Sequence, residues 1–368
     1  AVAQVAHTIV AEPRWGSVWM ALGLFVVLWW TWIGFTTLYN RYGDDSLIGH
    51  RLLIVGATVP CGLAAVAVHD AAHGHRMAFA LSLAGVRVLL AVAHFVVGGK
   101  LPRRIALGYC LSAVGFAVSA FVGAPWWWIL WTLMVVGESL NLFRGEIGRL
   151  TTGERRKLLE REGASGLKAF APTDPAFAVD AHHLSERFGL FVIIMLGEVV
   201  ASAGQGMLAG DGHGAQAWAT LAGGIALAGA LWWIYFDSTA DVSRRYLELS
   251  SGSPEVARAV FAAGHMIPAF ALIVVAAGLR LLLQGHPPTA AYWLVAAGIG
   301  AYLVGTRVVT GATTTGNRLL RLVLVVGTFQ LGHLAGVLSS SAFTWLVCGW
   351  VVVCAAAASY HPRVAQAI

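Results

Sequence analysis

The sequence predicts an all-α, polytopic transmembrane helical bundle of about 11–12 helices. Three observations support this prediction. First, 58% of the 368 residues are hydrophobic and only 11% are charged, with a mean hydropathy of +0.73, whereas about a quarter of a soluble domain is charged. Second, the apolar residues form runs that are long enough to cross a bilayer. Third, the basic residues concentrate in alternate loops between those runs, as the positive-inside bias predicts.

A bilayer-spanning helix needs roughly 17–25 apolar residues, and eleven segments meet this requirement. Because lipid offers the backbone no hydrogen-bond partners, such runs must be helices that satisfy their own amides and carbonyls. The predicted helices, by residue number, are 17–38, 51–70, 77–98, 104–122, 125–143, 187–206, 215–237, 260–283, 289–309, 318–337 and 341–358. Residues 1–11 resemble the end of a further helix.

Alternate loops differ sharply in positive charge. One set contains Arg41, Arg51, Lys100, Arg103, Arg104, Arg144, Arg149, Arg155, Arg156, Lys157, Arg161, Lys168, Arg244, Arg245, Arg258, Arg318, Arg321 and Arg363. The other set contains little more than Arg14, Arg76 and Arg280. The first set should be cytoplasmic, which also places residues 144–186 and the C-terminus there. Because membrane topology accounts for the basic residues, we expect no nucleic-acid partner.

Two halves of the chain resemble each other. Leu28-Trp29-Trp30 recurs as Leu231-Trp232-Trp233, and Arg41-Tyr42 recurs as Arg245-Tyr246. We therefore predict a first repeat at 1–143, a cytoplasmic connector at 144–186 and a second repeat at 187–368. Within the connector, 154–161 is either an amphipathic interfacial helix or a solvated charged loop. Equivalent positions lie six helices apart, so the repeats should share one orientation, an arrangement found in transporters.

Several ionisable residues fall inside apolar helices, where each costs about 2.5–3.5 kcal/mol on insertion scales and usually faces a partner or a wet cavity. They are Arg87, Glu138, Glu198 and Arg307, with Arg307 as the repeat equivalent of Arg87. Arg87 cannot lose its proton, so pairing with a glutamate is the simplest solution. Such a pair is either a structural bond or part of a substrate or ion site.

Histidines and one aspartate provide further candidates. His265 lies between Gly264 and Pro268, which could loosen its helix, and Asp237 ends an aromatic run. His69 and His73 have i, i+4 metal-ligand spacing, but solvated loop histidines are the simpler interpretation. The four cysteines lie in apolar runs without C-x-x-C spacing, so we expect neither a disulfide framework nor a zinc site. No sequence motif for a phosphate, dinucleotide or other cofactor is present.

Tryptophan is abundant, with 15 residues in the chain. Interfacial belts explain most of them. The run Trp29-Trp30-Thr31-Trp32-Ile33-Gly34-Phe35 could instead line an aromatic pocket for a planar or cationic ligand.

Three stretches resemble the bacterial low-temperature-requirement A family. They are 29–35 followed by 39–42, then 183–198, and 231–237, and their matching residues include Trp30, Trp32, Arg41, His183, Glu186, Arg187, Glu198 and Trp233. The resemblance implies a multi-pass protein of the bacterial inner membrane with a link to growth in the cold, and it brings no settled biochemical activity. Members of this family look as though they open with a helix of the form E-L-F-x-D-L-x-F-x-x-A. We therefore expect the first helix of this chain to be incomplete.

We expect a channel or transporter for an ion or small solute, with Arg87, Glu138, Glu198 and Arg307 lining or gating the route. One alternative is a membrane-embedded enzyme that acts on a lipid or isoprenoid, with Glu198 as proton donor. The other is a structural or sensing protein with buried ion pairs. A transporter predicts a polar cavity between repeats, an enzyme predicts a pocket open to lipid, and a scaffold predicts satisfied pairs and dry packing.

Overall fold

A computed structural model describes residues 1–43, 48–143, 163–172, 174–210, 214–306 and 315–359. These residues form helices joined by short turns, and none of them is in a β-strand. The predicted helical bundle is therefore confirmed. The helices in chain order are α1 Val2–Ala11, α2 Trp15–Tyr42, α3 Ile48–Val66, α4 Val68–Ala72, α5 Met77–Val97, α6 Lys100–Ser119, α7 Trp126–Leu142, α8 Ala181–Ala209, α9 Ala215–Ser238, α10 Ala240–Leu249, α11 Pro254–Ala257, α12 Met266–Leu282, α13 Thr289–Gly305, α14 Thr315–Gln330 and α15 Ser340–Ser359.

Six helical segments in the described part of the chain are long and apolar enough to cross a membrane. Some of them include the short helical turns that continue a helix. They are Trp15–Tyr42, Met77–Val97, Pro175–Ala209, Ala215–Leu249, Pro254–Leu282 and Ser340–Ser359. A helix of 28 residues such as α2 is about 42 Å long, which exceeds the ~30 Å thickness of the hydrocarbon core.

Each of the eleven predicted segments coincides with a helix in whole or in part, but three of them are interrupted. Segment 51–70 contains a turn at Ala67 between α3 and α4. Segment 260–283 begins in a π-helical turn, Arg258–Ala263, before α12. Segment 318–337 ends its α-helix at Gln330 and continues as the 3-10 turn Leu331–Leu334. Apolar composition predicts these spans but carries little information about such local breaks.

The connector is described only in part. Its described residues include two 3-10 turns, Gly163–Phe170 and Pro175–Phe177. The amphipathic helix predicted at 154–161 lies outside the described residues, and so do Arg307 and the C-terminal residues 360–368.

The matching tryptophans of the two predicted repeats lie in different environments. Trp29 and Trp30 on α2 are 1% and 7% exposed, whereas Trp232 and Trp233 on α9 are 49% and 46% exposed. The short sequence match therefore does not correspond to a shared packing role at these positions, and the internal repeat stays a prediction.

Helix α12 forms the centre of the second half. Thirteen of its 17 residues are buried, and it contacts α1, α8 and α13. Its sequence is apolar around the whole circumference except at Arg280, a pattern that predicts a helix surrounded by other helices.

Two glycines allow α12 and α13 to approach closely. A Cβ added to Gly278 would lie 2.9 Å from the backbone nitrogen of Val295, and one added to Gly298 would lie 3.0 Å from that of Val275. Small residues at helix crossings permit such backbone approach in membranes, where packing replaces the hydrophobic effect as a driving force.

Gly278→Ala should therefore lower the stability of the protein by about 1–3 kcal/mol, because the added methyl group meets backbone atoms that cannot rotate away. The matched control is Gly229→Ala on α9, where an added Cβ meets nothing within 4 Å. Thermal unfolding in detergent would measure both variants. Equal melting temperatures would contradict the close crossing.

Candidate functional site

Arg87 lies at the centre of the first half. Leu83, Arg87 and Leu90 follow helical spacing on the inward face of α5, and all three are fully buried. Arg87 Nε donates to Glu138 Oε1 at 2.9 Å, and its Nη2 donates to Glu138 Oε2 at 3.2 Å. This two-point geometry is the strongest form of arginine–carboxylate pairing.

Two further helices complete the surroundings of Arg87. Its Nη1 donates to Thr31 Oγ1 on α2 at 2.6 Å, while the Thr31 hydroxyl donates to the carbonyl of Val27 at 3.0 Å. The Arg87 guanidinium carbon also lies 4.5 Å from the ring centroid of Phe116 on α6, a favourable cation–π contact. One arginine thus connects α2, α5, α6 and α7, and each of its guanidinium nitrogens has a hydrogen-bond acceptor.

Arg41 holds the end of α2 against α7 and the connector. Its Nη1 donates to the carbonyl of Leu142 at 3.1 Å, and its Nη2 donates to the carbonyl of Phe177 at 3.4 Å. Leu142 is the last residue of α7, so the cation lies at the negative end of that helix dipole. The neighbouring Asn40 exchanges two 2.9 Å hydrogen bonds with the backbone of Asp180. These contacts fix the start of α8 beside the end of α2.

Two of the three stretches that resemble the family meet in an aromatic cluster, which we define as Trp29, Trp32, Phe188 and Phe191. The third stretch joins it through His265, whose ring centroid lies 5.7 Å from that of Tyr235 and 4.9 Å from that of Phe188. The ring centroids of Trp32 and Phe191 lie 4.4 Å apart, and those of Trp29 and Phe188 lie 5.9 Å apart. Trp29 is 1% exposed, so it is a packed core residue. Aromatic pairs at these distances add about 0.5–1.5 kcal/mol beyond the burial of their surface.

Next to this cluster, His265 follows the π-helical turn. Its Nδ1 lies 3.0 Å from the carbonyl oxygen of Val260, and its Nε2 lies 3.0 Å from the hydroxyl of Tyr235. Because a carbonyl only accepts, Nδ1 carries the proton, and in the neutral ring Nε2 accepts from Tyr235. The indole of Trp29 donates to the carbonyl of Ala262 at 2.8 Å. Side chains therefore satisfy two carbonyls of the π turn, a type of turn that is frequent at functional sites.

Glu198 has a different environment from Glu138. It is partly buried on α8, and its Oε1 accepts from the hydroxyl of Ser202 at 2.7 Å, one turn further along the same helix. Among the described residues, no Lys, Arg or His side chain forms an ion pair with it. It is residue 18 of the 29 in α8, about 26 Å from the start of the helix. Glu198 is thus a partly buried carboxylate within an apolar helix that forms no ion pair with a basic side chain of the described residues.

The remaining candidates lie at the ends of helices. Asp237 is exposed and accepts a hydrogen bond from Ser359. His183 and Glu186 are exposed on the first turns of α8. The guanidinium of Arg187 lies 5.5 Å from the ring centroid of Tyr39. Glu186 also lines a cavity of about 330 Å³ with His182, Ser185 and Arg244.

The weak metal candidates lie close together. The ring centroids of His69 and His73 are 4.5 Å apart, and His7 stacks on His69 at 5.9 Å. However, the Nδ1 of His73 is engaged with the carbonyl of His69 at 2.8 Å. No group of three or more histidine, cysteine, aspartate or glutamate residues has a metal-binding arrangement in the part of the chain that the structure describes.

Sequence reasoning missed Thr31, Ser202 and Tyr235 as partners of the ionisable side chains. Each is a hydroxyl residue within a quoted family stretch or one turn beyond it. A serine or threonine in an apolar helix usually bonds its own backbone, so its sequence alone gives little sign of an ionisable partner. The useful signal was the arginine, which needs several acceptors.

Apolar helices long enough to span a bilayer, with an arginine–glutamate pair buried among them, define a multi-pass membrane protein. A family model for the bacterial low temperature requirement A protein (LtrA) matches residues 1–358, so the chain belongs to the LtrA family. This confirms the resemblance seen in the sequence. No curated protein and no solved structure matches the chain.

Arg87→Met should destabilise the protein by about 3–5 kcal/mol, because it leaves the Glu138 carboxylate buried without its partner. The double variant Arg87→Met with Glu138→Met should recover most of this loss, since no uncompensated charge remains. Thermal unfolding in detergent would compare the single and double variants.

The control for this comparison is Arg244→Met, which removes the exposed pair with Glu248 at 2.9 Å. An exposed pair is worth about 0–1 kcal/mol, so the melting temperature should change little. A double variant as unstable as Arg87→Met alone would show that the pair is not the source of the loss.

Proposed function

We propose that this LtrA-family protein moves an ion or small solute across the bacterial inner membrane. The observation that carries the proposal is Glu198, a carboxylate at membrane depth that no basic side chain neutralises among the described residues. Ionisable residues in such positions usually mark ion or substrate pathways, because their burial is costly without a function.

Glu198 and Ser202 can bind a cation chemically. A carboxylate oxygen and a hydroxyl oxygen 2.7 Å apart are hard ligands, and a cation or proton at this position would offset the cost of burying the negative charge. Two side-chain oxygens do not surround a cation completely. Such weak coordination suits transport, because the bound ion must also leave the site. Monovalent cations and protons are therefore the first candidates for the transported species.

In this proposal the Arg87–Glu138 pair has a supporting role. The guanidinium nitrogens of Arg87 are satisfied by Glu138 and Thr31, and the Phe116 ring packs on its guanidinium carbon. The pair therefore resembles a structural ion pair more than an open binding site. His265 and the π turn beside it provide the best candidate for a deformable element near Glu198's helix, since His265 contacts Phe188 at a centroid distance of 4.9 Å. Asp237 and Arg307 stay candidate residues of the route.

The proposal keeps the predicted duplication, with repeats at 1–143 and 187–368 on either side of the connector 144–186. Transporters commonly place their sites between such repeats. The cytoplasmic position of the connector and of the C-terminus follows from the distribution of basic residues. The family is described by a low temperature requirement. Transport of an ion or solute is compatible with such a requirement.

An enzyme acting on a lipid is the second candidate, and one observation favours it. A cavity of about 600 Å³ lies between α2, α3 and α5, and its apolar walls suit a lipid. However, the described residues of its lining include no carboxylate, thiol or histidine, and Glu198 lies on another helix. We therefore interpret this cavity as a binding site and not as an active site.

Glu198→Gln should reduce cation flux at least about tenfold while the protein still folds, because the amide keeps the shape of the side chain and removes its charge. Flux of K⁺, Na⁺ and H⁺ into liposomes that contain the purified protein would be recorded with ion-sensitive dyes. The matched control is Glu248→Gln, the same change on the exposed surface of α10, which should leave flux unchanged.

Two results would contradict the proposal. One is the absence of flux for all three cations with monodisperse, folded protein. The other is equal flux through wild type and Glu198→Gln, which would remove Glu198 from the route.

A further inference from the structure

A groove opens sideways between α2, α3 and α5 at the end of the bundle that carries the basic residues. Its volume is about 600 Å³, within the range of small-molecule sites in proteins. The lining residues are Leu38, Tyr39, Tyr42, Gly43, Ile48, Gly49, Leu52, Leu53, Val92, Ala93, Val96 and Val97. Ten of these twelve residues are aliphatic or glycine, so the groove suits a hydrocarbon chain.

The helix arrangement explains why this groove exists. Helix α3 packs against α5. Ile48 and Leu52 on α3 and Val96 on α5 are exposed on the outer side of this pair. In a protein that spans a membrane, exposed apolar side chains at such positions face lipid. The groove therefore opens toward the bilayer interior rather than toward water.

A polar atom without a partner among the described residues lies in the wall of the groove. It is the buried hydroxyl of Tyr42, a lining residue. Behind it, Nε of Arg41 and Nε2 of His94, whose ring lies 6.2 Å from that of Tyr42, also have no partner in the described part of the chain. Buried polar groups are nearly always satisfied, so the Tyr42 hydroxyl indicates a place for a polar ligand in the groove.

The charges around the groove favour an anion. Residues 39–53 and 92–104, which contain the groove and its nearest chain neighbours, include five cations and two carboxylates: Arg41, Arg51, Lys100, Arg103, Arg104, Asp44 and Asp45. Arg51, Lys100 and Arg103 are exposed. Clusters of Lys and Arg at the cytoplasmic surface attract anionic lipid headgroups.

We propose that this groove binds an anionic phospholipid, with an acyl chain along the apolar walls and the phosphate at the end that carries Tyr42, on the side of the exposed Lys100, three residues beyond the lining residue Val97. The lipid would fill the space between α2 and α3 and satisfy the Tyr42 hydroxyl, which has no partner among the described residues. This inference is independent of the proposed transport, since it concerns residues on the opposite half of the chain from Glu198.

Gly49→Trp tests the groove by filling it. An added Cβ at Gly49 meets nothing within 4 Å, so a larger side chain is tolerated and occupies the cavity. Gly56→Trp is the matched control, because Gly56 lies two turns further along α3, is equally open and does not line the groove.

The protein and both variants would be reconstituted in bilayers of equal phosphatidylglycerol and phosphatidylcholine, extracted in mild detergent and examined by native mass spectrometry. Wild type and Gly56→Trp should retain phosphatidylglycerol in preference to phosphatidylcholine, and Gly49→Trp should lose one such lipid. Lys100→Gln should reduce the preference about fivefold, whereas Arg318→Gln, an exposed cation on α14, should not.

Three results would overturn the proposal. Retention of the same number of lipids by Gly49→Trp and wild type would exclude the groove. Equal retention of the two lipids by wild type would exclude an anionic headgroup. A retained molecule with the mass of an isoprenoid or another lipid class would reassign the occupant. If Gly49→Trp fails to fold, an unchanged preference in the surface variant Lys100→Gln also overturns the proposal.

Discussion

Hydrocarbon offers no hydrogen-bond partner to a polar group at membrane depth, and Arg87 shows how far that constraint reaches. Its guanidinium cannot become neutral, so burial requires acceptors around all of its nitrogens. Glu138 supplies two and Thr31 supplies one, from α7 and α2. The arrangement of three helices in the first half thus depends on satisfying one side chain. Gly34 on α2 contributes by leaving room for the Tyr109 hydroxyl, 2.7 Å from where its Cβ would lie.

The fold could be predicted from the sequence because lipid leaves few options for an apolar run of helix length. The need of Arg87 for a carboxylate could be predicted for the same reason. The choice between Glu138 and Glu198 could not, because both follow glycine in apolar helices and the answer depends on how α5 is rotated relative to its neighbours. The break at Ala67 was also missed, since it does not follow from composition. Gly264 and Pro268 indicated a loosened helix at His265, but the π-helical form of the turn before it could not be predicted. Trp29 and Trp232 show the same limit of local sequence, because they lie in similar short motifs but Trp29 is buried and Trp232 is exposed.

Glu198 and His265 represent two further solutions to the same constraint. His265 is satisfied on both ring nitrogens by Val260 and Tyr235, so it stabilises an irregular helical turn that would otherwise leave a carbonyl exposed. Glu198 has one hydroxyl partner and no basic side chain among the described residues. Arg87 thus has a complete set of hydrogen-bond partners, and Glu198 has an incomplete one. For this reason we assign a structural role to Arg87 and propose a functional role for Glu198. The groove beside Tyr42 is incomplete in a third way, because the Tyr42 hydroxyl, which has no partner among the described residues, lies in the wall of a space that lipid can enter.

The indole of Trp29 joins α2 to the π turn through the main-chain carbonyl of Ala262. Because the acceptor belongs to the backbone, any residue at position 262 can provide it, whereas position 29 needs a donor of this reach. The bond therefore constrains one position and leaves the other free. Such a contact selects for a tryptophan at one position without a co-varying partner at the other, so methods that infer proximity from paired substitutions would overlook this link between distant parts of the chain.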